Sequence, residues 1–321
     1  RLEHCERRFR EAGRCFREIL SNAQSQPVQA RSSAEHIVGG MLEEMSASGD
    51  MAIRLLSEKA GEESSLHALN CTVLSLLLAR ACGIDGDGLA AVGTGALLHD
   101  IGKIELPDRL RWREGNFTTA ERRLYDEHVP RGLAIGQRMG LPPGVCRIIA
   151  EHHEADDGSG FPAGLRGDAI DRGARIVALV NQYDNLCNPG NPAQALTPHE
   201  ALAVMFARMR SRFESATMSV FIRMMGVYPP GSVIELSDGR YALSVSVNAS
   251  RPLRPSVIIH EPAVPADEAL VVDLETLPEI GIRRCIKPVQ LPRAVADYLS
   301  PRKRTCYYFE RSMEASVGEV A

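Results

Sequence analysis

No C-x-x-C pair occurs among the eight cysteines (Cys5, Cys15, Cys71, Cys82, Cys146, Cys187, Cys285 and Cys306), which are scattered along 321 residues. That spacing argues against a disulfide framework and against a thiolate zinc site, and it leads us to expect a reducing compartment, the cytoplasm. Long apolar runs are missing too. The most apolar stretch, Val73 to Cys82, carries Arg80 and stops at Gly83, far short of the ~20 residues needed to cross a bilayer, so no membrane span is expected. Charge of one sign is equally scarce: 37 Lys and Arg against 41 Asp and Glu leave a formal charge of -4. A field that weak does not recruit a nucleic-acid polymer or an anionic membrane by charge alone, and any anionic ligand must meet local cations. There is no internal repeat and no low-complexity tract. The chain opens at Arg1 without a basic-then-apolar leader, and it reads as a piece of a longer protein with a sensory or receiver module upstream.

What is present is ordinary globular material, 44% hydrophobic and 24% charged. Residues 1–61 read as a helical linker region, with charged amphipathic helices over 2–22 and 28–58, the second opened by Pro27. Residues 62–226 read as mostly helical, over Leu66 to Cys82, Leu89 to Leu98, Thr119 to Met139, Val145 to His153, Ala174 to Cys187, Pro198 to Arg210 and Ala216 to Met225. Thr118 with Glu121 makes a capping box, and Thr197-Pro198-His199-Glu200 combines an N-cap, a proline at N1 and a glutamate at N3. A long Gly- and Asp-rich loop, Ala155 to Gly173, separates two of these helices, and a loop of that length in a compact domain is usually functional. At Gly226 the pattern changes. Ser232 to Leu236, a Ser237-Asp238-Gly239 turn and Tyr241 to Val247 read as a hairpin, with short strands at Ser256 to His260 and Leu270 to Leu274. The expected architecture is therefore mainly α, a helical bundle with N-terminal linker helices and a small β-rich C-terminal extension over residues 227–321. The basic triplet Arg302-Lys303-Arg304 reads as solvated surface.

The chemistry concentrates in the histidines. His99-Asp100 closes an apolar helix, and a neutral imidazole beside a carboxylate suits a divalent transition metal. One such pair is more often structural, but it has company. Glu63 and His67, four apart, share a helix face. His128 precedes Pro130, where a helix kink is expected. His152-His153-Glu154 ends another helix, and adjacent histidines point about 100 degrees apart, so they serve two ions better than one. Five of the nine histidines fall between His67 and His153, a pattern that suits a site of two or more metals.

His99-Asp100-Ile101-Gly102-Lys103-Ile104, followed by His152-His153-Glu154 and Asp156-Asp157-Gly158-Ser159-Gly160-Phe161-Pro162, resembles the HD-GYP family of cyclic di-GMP phosphodiesterases over roughly Glu62 to Gly226. The resemblance implies an HD-superfamily helical fold with two or three divalent metals, usually iron or manganese, hydrolysing the second messenger to pGpG or GMP. By motif position it implies Glu63, His67, His99, Asp100, His128, His152 and His153 as metal ligands, with Asp100 bridging. Lys103 then stands where it can neutralise a phosphate oxygen or assist the leaving group. Gly160, Phe161 and Pro162 match the family's named loop, with Phe161 where tyrosine is usual.

Two departures stand out. Asn181 occupies a position where the family has an aspartate ligand; its amide oxygen can coordinate a metal but brings no negative charge, while Asp184 lies one turn on. Cys187-Asn-Pro-Gly-Asn-Pro-Ala193 replaces a stretch whose Arg and Lys contact the ligand in the family, leaving Arg131, Arg166 or another cation to compensate. The expected partners are a cyclic dinucleotide and a diguanylate cyclase (GGDEF) domain; the helical seam leaves a homodimer open. Alternatives to the phosphodiesterase are a weakly active or inactive module that regulates a partner, and a hydrolase of another phosphoester.

Overall fold

In the computed structural model, which describes residues 2–46, 51–57, 63–111, 117–248 and 250–311, the first two helices turn apolar stripes inward. Helix α1 (Leu2–Asn22) buries Cys5, Phe9, Phe16 and Ile19, and α2 (Pro27–Ser46) buries Ala30, Ala34, Ile37, Val38, Met41 and Met45. Spacings of three and four residues put each set on one helix face. Strand β1 (Met51–Leu55) follows, and then α3 (Glu63–Ala81), which holds most of the chain's apolar stretch. Because α3 is apolar on every side it can be surrounded: Leu69, Val73, Leu74, Leu76 and Leu78 have no exposed surface. It packs against α1, α4 (Gly86–Leu98), α9 (Arg172–Cys187) and α11 (Ser215–Met225).

The other core helices are α5 (Asp108–Arg111), α6 (Thr119–Asp126), α7 (His128–Arg138), α8 (Pro143–Glu151) and α10 (Pro198–Arg208). Both expected capping boxes are formed, Thr118 with Glu121 on α6 and Thr197 with Glu200 on α10. The single helix expected over Thr119 to Met139 is instead α6 and α7, divided at Glu127. Pro130 has no N–H for the Asp126 carbonyl, so the first helix ends there.

The remaining strands, β2 (Val233–Leu236), β3 (Tyr241–Asn248), β4 (Ser256–Ile259), β5 (Val271–Asp273), β6 (Ile282–Ile286) and β7 (Tyr307–Arg311), with α12 (Arg293–Leu299), lie C-terminal to the bundle. The hairpin β2–β3 forms as the turn residues imply. All pairings are antiparallel, in the order β5-β4-β3-β1-β7, with β2 joining β3 to β6. The helix expected over 28–58 is corrected here: it stops at Ser46, and 51–55 is a strand inside the sheet, between β3 and β7. Four of its five residues are buried, so no polar–apolar alternation marks it as a strand. Arg54 is tolerated there because Glu310 on β7 lies 3.6 Å away.

This placement predicts that Ile53→Ala lowers global stability by about 2–5 kcal/mol, the usual loss for emptying a buried aliphatic site, read from urea midpoints. A change within about 0.5 kcal/mol, the usual size at an exposed position, would mean that β1 is not part of the core sheet.

Candidate metal centre

Three helix ends deliver three imidazoles by one local device. His99 caps the C-terminus of α4, His152 caps that of α8, and His128 stands at the α6–α7 junction. At each, a backbone carbonyl three residues back accepts a hydrogen bond from the ring. His99 Nδ1 donates to the Ala96 carbonyl (2.7 Å), His128 Nδ1 to Tyr125 (2.6 Å) and His152 Nδ1 to Ile149 (2.8 Å). Each bond places the proton on Nδ1 and leaves the Nε2 lone pair for the interior. All three rings are buried.

Asp100 follows His99 and opens a 3-10 turn over Ile101–Glu105. Gly102 lets that turn press against α7: a Cβ there would lie 1.9 Å from the His128 carbonyl oxygen. The close approach sets Asp100 between two groups of donors. Its Oδ1 lies 3.4 Å from His128 Nε2 and 3.9 Å from His152 Nε2, and His153 Nε2 lies 3.1 Å from His128 Nε2. Its Oδ2 lies 3.4 Å from His99 Nε2 and 3.8 Å from His67 Nε2, with the Cys71 thiol 3.8 Å from the His67 ring. Among the described residues, Asp100, His128, His152 and His153 form one cluster of potential ligands, and His67, Cys71 and His99 form another.

The donors fit divalent cations on two independent counts. Asp100 Oδ1 and His152 Nε2 are buried without a hydrogen-bond partner, an arrangement that costs free energy unless a cation sits against them. In addition, His67 Nδ1 lies 2.7 Å from Asp184 Oδ2, which fixes its proton on that nitrogen, while His99 is protonated on Nδ1. Their Nε2 atoms nevertheless stand 3.2 Å apart. Two neutral rings in those tautomers oppose lone pairs, and a proton or a metal ion between them relieves the repulsion.

The electrostatics agree. Burial drives His99 down to about 4 and also holds His128, His152 and His153 below the ordinary imidazole range, so these rings are neutral ligands at neutral pH. For Asp100, burial opposes ionisation, but Lys103, His99 and His128 override it and hold the carboxyl well below its ordinary range. Lys103 Nζ sits 2.7 Å from Asp100 Oδ2; burial opposes its charge, Asp100 more than restores it, and the amine stays protonated. For His67, burial likewise works against the charged form, and Cys71 and Asp184 raise the ring well above its ordinary value. A metal in that lobe must therefore displace a proton.

The loop beyond α8 is tied to the same centre. Glu154 is buried and accepts from the Ala163 and Leu165 amides, and Phe161 N donates to the His153 carbonyl. Gly160 is required by contact, because a Cβ would lie 2.4 Å from the Ala155 nitrogen. The Phe161 ring stacks on His153 with centroids 4.6 Å apart, and the Arg122 guanidinium lies 5.5 Å from its centroid. Pro162 follows through a cis peptide bond and is exposed. Beside the centre, a cavity of about 800 Å³ is bordered by His67, Asp100 and Lys103.

Seven of the residues singled out from sequence (His67, His99, Asp100, Lys103, His128, His152 and His153) thus meet at one place. Glu63 begins α3, and its side chain lies outside the described residues. Asn181 is buried on α9, where its Oδ1 accepts from Asn185 Nδ2 at 2.9 Å. Sequence reasoning did not foresee Cys71, although its i,i+4 spacing from His67 was available, nor that Asp184 orients His67. Asp184 has no exposed side-chain surface, and its Oδ1 accepts from Asn70 Nδ2 and Asn188 Nδ2, both at 2.8 Å.

The family model described as HD domain matches residues 50–217. Among curated proteins, the chain is 29% identical over 226 residues to the cyclic di-GMP phosphodiesterase PA4108 of Pseudomonas aeruginosa, covering 68% of this chain and 54% of that protein. It is 33% identical over 150 residues to the cyclic di-GMP phosphodiesterase response regulator RpfG of Xanthomonas campestris, covering 46% and 39%. It is 27% identical over 175 residues to a 3'3'-cGAMP-specific phosphodiesterase of Vibrio cholerae, covering 53% and 39%. The chain spans about half the length of these relatives, or less. A solved structure, Bd1817, a HDG"Y"P protein from Bdellovibrio bacteriovorus, superposes with a TM-score of 0.50 at 22% identity, covering 65% of this chain and 67% of that one. At that identity the likeness concerns the fold.

The role of Asp184 is testable. Asp184→Asn keeps the shape but removes the carboxylate that orients His67, and loss of such a supporting partner typically lowers metal affinity about 10–100-fold. Competition with a chromophoric chelator reads this directly, and wild-type affinity in the variant would assign the His67 contact no part in metal binding. A helical core matched by the HD domain model, with His99-Asp100 set among four further histidines at its centre, establishes that the chain belongs to the HD-domain family, in its HD-GYP branch.

Proposed function

We propose that this chain is a metal-dependent phosphodiesterase that hydrolyses cyclic di-GMP to pGpG or GMP. One observation carries the reading: Asp100 stands between two clusters of imidazoles with one oxygen toward each. That donor set suits two divalent cations, iron or manganese, which favour imidazole and carboxylate ligands. His128, His152 and His153 would hold one and His67 and His99 the other, with Asp100 shared and Asn181 and Glu63 as further ligands. Bound there, the cations supply Lewis-acid stabilisation of the phosphoryl oxygens and acidify water at neutral pH.

The chain's own residues supply the rest. His99, His128 and His152 are held in one tautomer by backbone carbonyls, so the site needs no reorganisation to receive its ligands. Lys103 keeps its proton beside Asp100, which suits it to neutralise charge building on a phosphate oxygen rather than to give the proton away. Phe161, stacked on His153, covers one side of the imidazole cluster. The names of the relatives support the substrate class, and the 3'3'-cGAMP enzyme among them makes that dinucleotide the natural comparison.

Anaerobically purified protein should contain transition metal and convert cyclic di-GMP to pGpG or GMP with Mn or Fe(II). Absence of both metal and product would overturn the reading, and bound metal with no turnover of any cyclic dinucleotide would favour a regulatory module. Lys103→Ala should lower kcat by about 10²–10³, the usual loss for one transition-state charge partner, with metal content unchanged. Asn181→Asp should raise metal occupancy, since it restores an anionic oxygen; unchanged occupancy would remove Asn181 from the ligand set.

A further inference from the structure

The wall of the cavity beside the metal centre draws on several separate elements. Phe16 and Leu20 belong to α1, Arg111 ends α5, and Arg304 lies on the segment that leads into β7. The volume, about 800 Å³, falls within the roughly 300–1,000 Å³ of small-molecule sites. We propose that Arg304, together with Arg111, binds the second phosphodiester of a cyclic dinucleotide whose first phosphodiester lies at the metal centre, with the α1 side chains as an apolar wall. This assignment rests on the phosphodiesterase reading.

Charge is the first argument. Among the described residues, the cations bordering the cavity are Lys103, Arg111 and Arg304; Asp100, which also borders it, is engaged by Lys103, and Arg111 pairs with the exposed Asp108 at 3.3 Å. A cyclic dinucleotide carries two phosphodiesters, and only one can occupy the site of hydrolysis. The other keeps its charge and must find a cation, for which a guanidinium is the best-shaped donor. The stretch after α9 cannot provide it, since Pro189 and Gly190 border the cavity from there and Cys187 to Ala193 contains no cation. Arg131 and Arg166, the substitutes suggested by sequence, are not among the residues around the cavity; Arg131 donates instead to the Glu105 carbonyl at 3.0 Å.

Placement is the second argument. Arg111 is braced by the backbone beside the catalytic turn, donating to the carbonyls of Lys103 (3.2 Å), Ile104 (2.9 Å) and Leu106 (3.2 Å). The segment carrying Arg304 is pinned by its neighbours. Thr305 N donates to Asn188 Oδ1 at 2.8 Å, the Thr305 carbonyl accepts from Asn70 and Asn188 at 2.8 and 3.0 Å, and Tyr307 N donates to Asn70 Oδ1 at 2.9 Å. The same two asparagines donate to Asp184, which holds His67. Arg304 therefore stands one residue from a continuous hydrogen-bonded path to the metal centre. A half-buried arginine on a braced segment loses little freedom when it takes a ligand.

Binding of cyclic di-GMP to the Mn-loaded protein, read by stopped flow before turnover, and turnover of bis(p-nitrophenyl) phosphate by the same protein, test this together. Arg304→Ala should weaken cyclic di-GMP binding about tenfold or more, the scale of a charge-assisted hydrogen bond. It should leave metal content and turnover of the single-phosphodiester probe within about twofold, and Arg304→Lys should recover part of the affinity. Arg111→Ala should weaken binding in the same sense and serves as the second variant if Arg304→Ala loses metal or fails to fold. Unchanged affinity in the folded variants, beside a wild type that hydrolyses cyclic di-GMP, would overturn this assignment and leave the phosphodiesterase reading intact. Arginine-dependent binding without hydrolysis would uphold the assignment and overturn the phosphodiesterase reading. A wild type that neither binds nor hydrolyses the dinucleotide overturns both.

Discussion

One half-buried carboxylate organises this molecule. Asp100 is ionised in a setting that desolvates it; Lys103 holds it there, while imidazole nitrogens converge on its two oxygens. An arrangement of that kind is poor as a stabilising device, because two of its polar atoms have no hydrogen-bond partner and two imidazole nitrogens stand 3.2 Å apart, where only a proton or a metal ion between them relieves the repulsion. It becomes favourable when cations occupy the space. The fold thus accepts a local cost at its candidate metal centre, and the helices around it supply the rigidity that keeps the donors in place.

That rigidity has two sources of different range. Close to the site, helix termini hold the rings through carbonyls three residues away, and Gly102 and Gly160 allow backbone to approach backbone. Farther out, α3 is buried on every side and carries His67 and Asn70 at fixed places along one helix. Asn70 and Asn188 join three partners at once: Asp184 behind His67, the Thr305 backbone, and through it the sheet. The β-rich region is accordingly bonded to the centre rather than merely attached to the bundle, and β1, from the N-terminal side, sits in the middle of that sheet.

Much of this was legible in the residue order. The helical bundle follows from apolar spacing, both capping boxes form where Thr, Glu and Pro announce them, and the hairpin turns at Ser237-Asp238-Gly239. His99, His152 and His153 were legible because each belongs to a short motif whose local geometry, a helix end followed by a tight turn, is encoded within a few residues, whereas His67 lies inside α3 and His128 at the α6–α7 junction. Strand β1 was not, because a five-residue strand with four residues buried, on both faces, has no alternation to display. Asp184 was visible as a carboxylate near the expected ligand position, but its partner His67 is 117 residues away.

What the sequence alone determined is the inventory and the local conformations: which residues can hold a metal, which helices present them, and where those helices begin. Those properties depend on spacings of three or four residues and on the preferences of Thr, Pro and Gly, which act within one turn of chain. Only the tertiary structure decided which donors share a cluster, that Asp100 lies between the two, and that Arg304 and the α1 side chains reach the same cavity. Contacts of that kind join residues that are tens to hundreds of positions apart, and they are set by burial and by hydrogen bonds that no local pattern records.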